Sequence, residues 1–276
     1  MTMAERSHHD GLAASLDRLA ALDPYLATGL LAAPEAGWSR AGDLLAAPGA
    51  WLDAALEQIM AQYGVPDRKS AAAFLVGSYA WYVGAAAIGC YLADRRVPSL
   101  APDLVAVQVA GARVQVALLD SGFAALPDDP AAGAPGVEPA ADAEALRGLL
   151  RSRIEEHMAA LIEVVAAHTR LGQRAQWNLV ADACAALFLH VGGHLGDTEL
   201  ACAEGLAVVK ASGSPMRPSK TGYLTVTEGD RCQTFRMRGG CCLYYKTPKG
   251  ENCATCPLIP QPEREARLRA SLTATA

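Results

Sequence analysis

Apolar positions in the first third of the chain repeat with the period of an amphipathic helix. Residues 10–22 present one leucine face, and Asp23–Pro24 ends the run. The leucines of that face are Leu12, Leu16, Leu19 and Leu22. Residues 41–63 predict a second helical stretch, which Pro48 bends or restarts. Asp67 can cap a third helix over the alanine-rich residues 70–93, so this part of the chain is predicted to be helical.

Two later segments alternate with the period of a strand. Residues 104–109 and 113–118 flank Ala110–Gly111–Ala112, and each segment predicts one arm of a β-hairpin. On one face of this hairpin lie Val105, Val107, Val109, Val114, Val116 and Leu118. A second hairpin is predicted from residues 223–227 and 231–238 around the turn Glu228–Gly229–Asp230.

The segments between the two hairpins return to helical patterns. Residues 127–142 hold four prolines and two glycines, which predicts a surface connection. Residues 143–171 predict one long helix, and residues 175–191 predict another that ends at Gly192–Gly193. Asp197 or Thr198 can cap a helix that runs to about residue 212, and a short charged helix is expected near the C-terminus.

These elements predict an α+β fold: a predominantly helical body with two β-hairpins and a small C-terminal module that carries cysteines. We place the body at residues 1–212, including the hairpin at about 104–118. The cysteine-bearing module takes residues 213–276.

The stretch at residues 70–93 is uncharged and long enough to cross a membrane. It consists mostly of alanine and glycine, and basic residues flank both of its ends. We therefore predict a buried helix of small residues, with no stable membrane insertion.

Composition narrows the classes of function. A net charge of −5 argues against nucleic acid as a partner, and 51% apolar residues are enough for a sizeable core. The first ten residues are charged and no apolar segment follows them, so no secretory signal is expected. Eight cysteines in such a chain are expected to stay reduced in the cytoplasm, where a metal cluster is favoured over disulfides.

Four of the cysteines stand close together in CCLYYKTPKGENCATC, at Cys241, Cys242, Cys253 and Cys256. Thiolates at such spacing are ligands for zinc or iron. Adjacent residues tend to direct their side chains apart, so Cys241 and Cys242 chelate one ion poorly but can each reach a different iron. The pattern favours a [2Fe–2S] cluster on four cysteines, with mononuclear zinc as the alternative.

The residues around these cysteines suit a thiolate cluster. Gly239 and Gly240 can bring backbone N–H groups close to sulfur. Positive charge nearby would offset the anionic cluster and could attract an anionic ligand, unless these side chains are ordinary solvated charges. The cations are Arg231, Arg236, Arg238, Lys246 and Lys249.

The run FRMRGGCCLYYKTPKGENCATCP resembles the C-terminal signature of FhuF-like ferric siderophore reductases, and all four cysteines match the ligand positions. The resemblance covers roughly residues 216–260. It implies a cytoplasmic [2Fe–2S] protein that reduces siderophore-bound Fe(III) to Fe(II), with no catalytic residue beyond the cluster. The implied partners are a ferric siderophore and an external electron donor, either an unidentified reductase or a ferredoxin.

Two other functions remain open: a non-catalytic binding module held together by zinc, and an iron or redox sensor. Against a sensor that acts on transcription, the chain lacks a helix-turn-helix with a basic face. A body like that of siderophore synthetases is a further possibility, although no glycine-rich nucleotide loop supports it.

The remaining cysteines and histidines are predicted to be structural. Cys90, Cys184 and Cys202 fall in apolar helices, and we favour packing over an alternative ligand role for Cys232. His190 and His194 have i,i+4 spacing, but the predicted helix end between them makes them structural or pocket-lining residues rather than metal ligands. A cleft for the siderophore is expected between the helical body and the cysteine loop, which we define as residues 241–256.

Overall fold

The structure is a computed structural model that describes residues 3–110 and 113–274. Its α-helices are α1 (Met3–Leu22), α2 (Ala41–Ala46), α3 (Gly49–Tyr63), α4 (Arg68–Asp94), α5 (Ala143–His168), α6 (Gln173–Leu195), α7 (Thr198–Val209) and α8 (Gln261–Ala274). Its strands are β1 (Gly29–Leu30), β2 (Ser39–Arg40), β3 (Arg96–Pro98), β4 (Val105–Ala110), β5 (Arg113–Leu118), β6 (Phe123–Ala125), β7 (Val137–Pro139), β8 (Gly222–Glu228) and β9 (Arg231–Met237). The predicted α+β class is confirmed.

The centre of the body is the packing of α4 against α6. Small residues on α4 let the two helices approach closely. A Cβ added at Gly84 would lie 2.9 Å from Leu187 Cδ1 on α6, so the Leu187 side chain would have to move to make room for it. Helices α1, α3 and α5 pack around this pair.

Helices α4 and α6 are both long and apolar enough to cross a membrane by length and composition alone. The most apolar window of α4 is 72% buried inside the protein, and that of α6 is 61% buried. The prediction of a buried helix at residues 70–93 is therefore confirmed, and α6 is a second core helix of the same kind.

Several predicted helix ends are confirmed. A break at Pro48 separates α2 from α3, and the Asp67 side chain accepts a hydrogen bond of 2.7 Å from Ser70 N at the start of α4. Asp197 caps α7 in the same way, through Leu200 N. Helix α5 ends at His168, before the predicted residue 171.

The predicted end of α6 at Gly192–Gly193 is wrong. The helix continues to Leu195 and ends at Gly196, which has the positive φ of 79° that helix-terminating glycines adopt. Gly192 is there because α7 packs on it: an added Cβ would lie only 2.3 Å from the Ala201 Cβ. The glycine pair is thus a packing feature inside a continuous helix.

The first predicted hairpin is confirmed by the antiparallel pairing of β4 and β5, in which Val107 lies opposite Val116. Its turn at residues 111–112 lies outside the described residues. The strands β1 and β2, which the sequence pattern did not predict, extend this hairpin to a sheet of order β1-β5-β4-β2.

The prediction that residues 127–142 are only a connection is wrong in part. Residues 137–139 form β7, which pairs in parallel with β6 in a sheet of order β3-β6-β7. Pro139 is tolerated at the end of this edge strand, where a missing N–H breaks no ladder.

The second predicted hairpin is confirmed by β8 and β9, which pair over their full lengths. Helix α8 packs on β8 and completes a small core apart from the main one. Its buried residues are Val226, Met237, Leu268 and Leu272. The division of the chain at residue 212 remains a prediction.

A buried histidine makes the stability of the body depend on pH. His157 lies on α5, with Nε2 2.8 Å from the Tyr79 hydroxyl and Nδ1 2.6 Å from the Leu100 carbonyl oxygen. Burial lowers the pKa of His157 to about 4. Below about pH 6.5 the unfolded chain therefore binds a proton at His157 that the folded chain does not bind. The contribution of His157 to the free energy of unfolding is present above about pH 6.5 and is lost as the pH falls towards 4.

We expect the free energy of unfolding to fall by about 2 kcal/mol between pH 7 and pH 5 on account of His157. Urea unfolding followed by the helical circular dichroism signal at the two pH values measures this slope. His157→Gln should remove the slope, and His168→Gln, at an exposed position, should keep it. Equal slopes in wild type and His157→Gln would contradict the assignment.

Candidate metal centre

The structure brings the four predicted cysteines together. Cys241, Cys242, Cys253 and Cys256 line one small cavity after the end of β9, together with Arg238. Cys256 is buried and the other three are half-buried. The site therefore lies near the surface with its sulfur atoms turned inward.

The four thiols form two pairs. Cys242 interacts with Cys253, and Cys256 interacts with Cys241 and more weakly with the charge of Cys253, while its thiol donates to Asn252 Oδ1 at 3.6 Å. Each member of the adjacent pair thus faces a different member of the C-x2-C half. This is the arrangement expected if two irons each take one thiolate from each half.

The spacing of the thiols argues against a single zinc ion. Four sulfurs bound tetrahedrally at about 2.3 Å from zinc would all lie about 3.8 Å apart. The strongest interactions instead join the thiols two by two, Cys242 with Cys253 and Cys241 with Cys256. Two separate pairs suit a dinuclear cluster better than one tetrahedral ion.

In the pair formed by Cys242 and Cys253, the environment favours the thiolate form of one residue. The hydrogen bond from Cys242, with the charge of Arg238 nearby, lowers the pKa of Cys253 to about 5. The same bond, together with burial, raises the pKa of Cys242. The thiolate is the form that binds metal, so the lowered pKa of Cys253 favours its role as a ligand.

The prediction that Gly239 and Gly240 donate to sulfur is wrong. Leu243 N donates to the Cys241 sulfur at 3.4 Å, and Tyr244 N donates to that of Cys242. Leu243 has a φ of 60°, unusual for a residue with a side chain. This turn directs the amides that follow the cysteine pair back at the two sulfurs.

The glycine amides bind a carboxylate instead. Asp182 lies in α6 with 1% of its surface exposed, and it accepts hydrogen bonds from Gly239 N at 2.8 Å and Gly240 N at 3.0 Å. The Thr221 hydroxyl donates to the same side chain. Gly239 has to be glycine, because an added Cβ would lie 2.0 Å from the Ser219 hydroxyl oxygen. Asp182 therefore holds the chain immediately before Cys241 against the helical body.

Arg238 connects this carboxylate to the sulfurs. Its Nη1 lies 3.2 Å from the Cys242 sulfur, and its Nε lies 3.6 Å from Asp182 Oδ2. Arg236 lies beside it, with Nη1 3.4 Å from the Asp182 carbonyl oxygen. Both are largely buried, so the predicted positive charge beside the thiolates is confirmed for these two residues.

The other predicted cations lie farther away. Arg231 and Lys249 are exposed, and Arg231 donates to the Leu272 carbonyl oxygen in α8. Lys246 binds Asp67 across a distance of 3.1 Å and thereby ties the cysteine loop to the start of α4. The Tyr244 ring packs near Phe74 of the same helix, with 6.4 Å between ring centroids.

The remaining cysteines follow the prediction with one exception. Cys90 and Cys184 are fully buried, and Cys202 is half-buried. The favoured packing role of Cys232 is wrong, because this residue is exposed on β9. Its six-residue separation from Arg238 corresponds to about 20 Å of strand, so it does not reach the four-cysteine site.

The structure does not have the predicted siderophore-sized cleft between the helical body and the described residues of the cysteine loop. The cavity that the cysteine loop itself borders measures about 10 Å³, which has no room for a chelate. A larger cavity of about 730 Å³ lies between the start of α4 and the end of α5. Its lining includes Asp67, the residue that Lys246 of the cysteine loop binds, so it lies next to the loop rather than inside it.

Asp182 is the residue of this site that the sequence pattern did not reveal. It is a single carboxylate far in sequence from the groups it binds, so no local spacing marks it. The one available signal for Asp182 is a lone charge inside the apolar run VADACAALF, where burial requires a partner.

Comparison with known families gives two matches. A family model described as "Ferric iron reductase FhuF-like transporter" matches residues 74–221, which is more than half of the chain. A second, described as "FhuF 2Fe-2S C-terminal domain", matches residues 238–258, which include all four clustered cysteines. The curated proteins gave no significant match. The solved structures gave none either.

Proposed function

The chain belongs to the FhuF-like ferric iron reductase family and carries the [2Fe–2S] C-terminal domain of that family, and from this premise we propose that it is a ferric siderophore reductase. The proposed reaction is the one-electron reduction of chelated Fe(III) to Fe(II), with release of the iron in the cytoplasm. The observation that carries the proposal is the two-by-two pairing of Cys241, Cys242, Cys253 and Cys256, which suits two irons. These four cysteines are the proposed ligands.

The chemistry follows from the charge of the substrate iron. Siderophores hold Fe(III) through hard oxygen ligands, and an ion of lower charge is held less tightly by such ligands. When bound, the cluster supplies one electron at a time. The electron comes from an external donor, a reductase or ferredoxin, and ends on the substrate iron.

The residues of the chain set the conditions for this transfer. Arg238 places a largely buried positive charge 3.2 Å from the Cys242 sulfur, and such a charge favours the reduced, more negative state of the site. The amides of Leu243 and Tyr244 act in the same direction through their hydrogen bonds to sulfur. No side chain needs to act as an acid, base or nucleophile.

The cavity beside the cysteine loop is the proposed place for the chelate. Its volume of about 730 Å³ is in the usual range for binding sites of small molecules. Lys69 and Arg170 give its lining positive charge. The charge of Arg68 is offset by Asp53, and that of Asp67 by Lys246. This charge favours ferric chelates that carry a net negative charge.

Neutralising the cavity is expected to weaken the docking of an anionic chelate. The double change Lys69→Gln with Arg170→Gln should raise KM for such a chelate about tenfold at low salt and leave kcat nearly unchanged. Steady-state reduction assays with one anionic and one neutral ferric chelate measure the effect. Arg113→Gln, at an exposed position on β5, is the matched control. An equal loss for both chelates would rule out charge as the cause.

One preparation tests the proposed function against its rivals. Protein purified without oxygen should be coloured and contain two irons and two acid-labile sulfides per chain. Its reduced form should be oxidised by ferric siderophores as Fe(II) appears. A colourless preparation that contains zinc would support the zinc-held module instead. A cluster that forms but does not react with any ferric siderophore would support the sensor.

A further inference from the structure

A second group of metal-binding side chains lies outside the cysteine site. His190 and His194 of α6 lie beside Asp23, the residue that follows α1. His190 Nε2 lies 2.8 Å from Asp23 Oδ2, and His194 Nε2 lies 3.4 Å from the same oxygen. Among the described residues, this is the group of three whose possible ligand atoms all fall within 4.8 Å of one another.

The continuity of α6 creates this arrangement. Because the helix runs through Gly192–Gly193 to Leu195, the i,i+4 spacing places both imidazoles on one face. Their ring centroids are 4.8 Å apart. The sequence predicts a helix end between His190 and His194, which would separate their side chains, but α6 is continuous there.

Asp23 is fixed in a position to complete the group. Its Oδ1 accepts a hydrogen bond of 2.8 Å from Tyr25 N, which leaves Oδ2 turned towards the two histidines. The Trp81 ring lies against His190, with centroids 5.6 Å apart, and limits the rotation of that imidazole. The ligand atoms are therefore held by groups that do not themselves bind a metal.

The two spacings that involve Asp23 are close to those of ligands on one ion. Atoms at about 2.1 Å from a metal, separated by angles of 90° to 109°, lie about 3.0–3.4 Å apart. The two distances to Asp23 Oδ2 bracket that range. A hydrogen bond accounts for the 2.8 Å contact of His190, but the 3.4 Å contact between His194 and Asp23 is long for a hydrogen bond.

We propose that Asp23, His190 and His194 form a binding site for one divalent first-row transition-metal ion, separate from the four-cysteine site. Two imidazoles and one carboxylate are a ligand set that suits Zn²⁺ and Fe²⁺. His194 is 36% exposed at its side chain, so the remaining coordination positions are open to water.

The proposed site lies on the same helix as the carboxylate that holds the cysteine loop. His190 comes eight residues after Asp182 in α6, which corresponds to about 12 Å along the helix axis. The site also borders a pocket whose other wall is the exposed part of β9, including Cys232. The proposal concerns bound metal and does not depend on reductase activity.

Calorimetric titration of the cluster-loaded protein with Zn²⁺ tests the site. We expect one equivalent to bind per chain while the visible absorbance of the cluster stays constant, which shows that the cysteines are not involved. His190→Gln, His194→Gln and Asp23→Asn should each weaken binding at least about tenfold. His168→Gln is the matched control, because it removes an exposed histidine that faces no carboxylate in this group, and it should bind like wild type.

A second measurement guards against misfolded variants. Paramagnetic Co²⁺ bound next to His190 should quench the fluorescence of Trp81, and Trp81→Phe should remove that quenching without removing binding. Binding of one equivalent that survives His190→Gln and His194→Gln together would overturn the proposal. Absence of Zn²⁺ binding by the wild-type protein would overturn it as well.

Discussion

Serine in place of Cys241 or Cys253 is expected to leave a colourless protein that does not reduce ferric siderophores. The two changes affect different pairs of thiols, because Cys241 pairs with Cys256 and Cys253 pairs with Cys242. Serine oxygen is a harder ligand and a much weaker acid than the thiol it replaces. With one iron short of a thiolate, we expect less than about a tenth of the wild-type cluster content.

Absorbance, iron and sulfide content, and the rate of Fe(II) formation measure this result in parallel. Cys232→Ser is the matched control, since Cys232 belongs to the same part of the chain but is exposed about 20 Å along β9 from the site. It should keep full colour and rate. Loss of colour in Cys232→Ser, or full colour in Cys241→Ser, would refute the ligand assignment.

The identity of the cysteine site could be predicted because its information is local. Four thiols within sixteen residues, two of them adjacent, restrict the metal chemistry before any fold is known. The two long hairpins could be predicted for a similar reason. Val105 to Leu118 alternates over enough residues to show a period of two, and the observed register keeps its valines on one side.

Short strands could not be found in this way. The strands β1, β2, β3, β6 and β7 have two or three residues each, and so few positions show no period. Such short strands form where they can hydrogen-bond to the edge of a neighbouring strand, as Gly29–Leu30 does with β5. Gly192 also shows that a local pattern can mislead. The sequence predicts that this glycine ends the helix, but in the structure it lies inside α6, where it makes room for Ala201 of α7.

The groups that hold the cysteine loop in place cannot be predicted from the sequence. The sequence predicts a close approach of backbone at Gly239 and Gly240, but the group approached is Asp182 rather than sulfur. The sequence distance of almost sixty residues hides that contact. In the structure, the two glycine amides donate hydrogen bonds to Asp182 and so connect α6 to the chain that enters the cysteine loop.

Removing the Asp182 carboxylate is expected to have the largest effect of any change outside the cysteines. Asp182→Ala would leave the amides of Gly239 and Gly240 without their acceptor and would remove the one carboxylate beside Arg238 in this site. Breaking a buried charge pair costs about 3–5 kcal/mol in free energy of unfolding. Alanine suits the interior of α6, so the helical body should persist while the cysteine loop detaches.

The measurement compares cluster content with the helical circular dichroism signal in the same preparations. Asp182→Ala should lose most of its colour and keep most of its helix, and Asp182→Asn should lie between it and wild type, because the amide keeps one acceptor oxygen but offers an opposing donor to the other glycine. Asp197→Asn is the matched control, since asparagine caps α7 as well as aspartate does. If Asp182→Ala kept both its colour and its unfolding midpoint, α6 would not be what holds the cysteine loop in place.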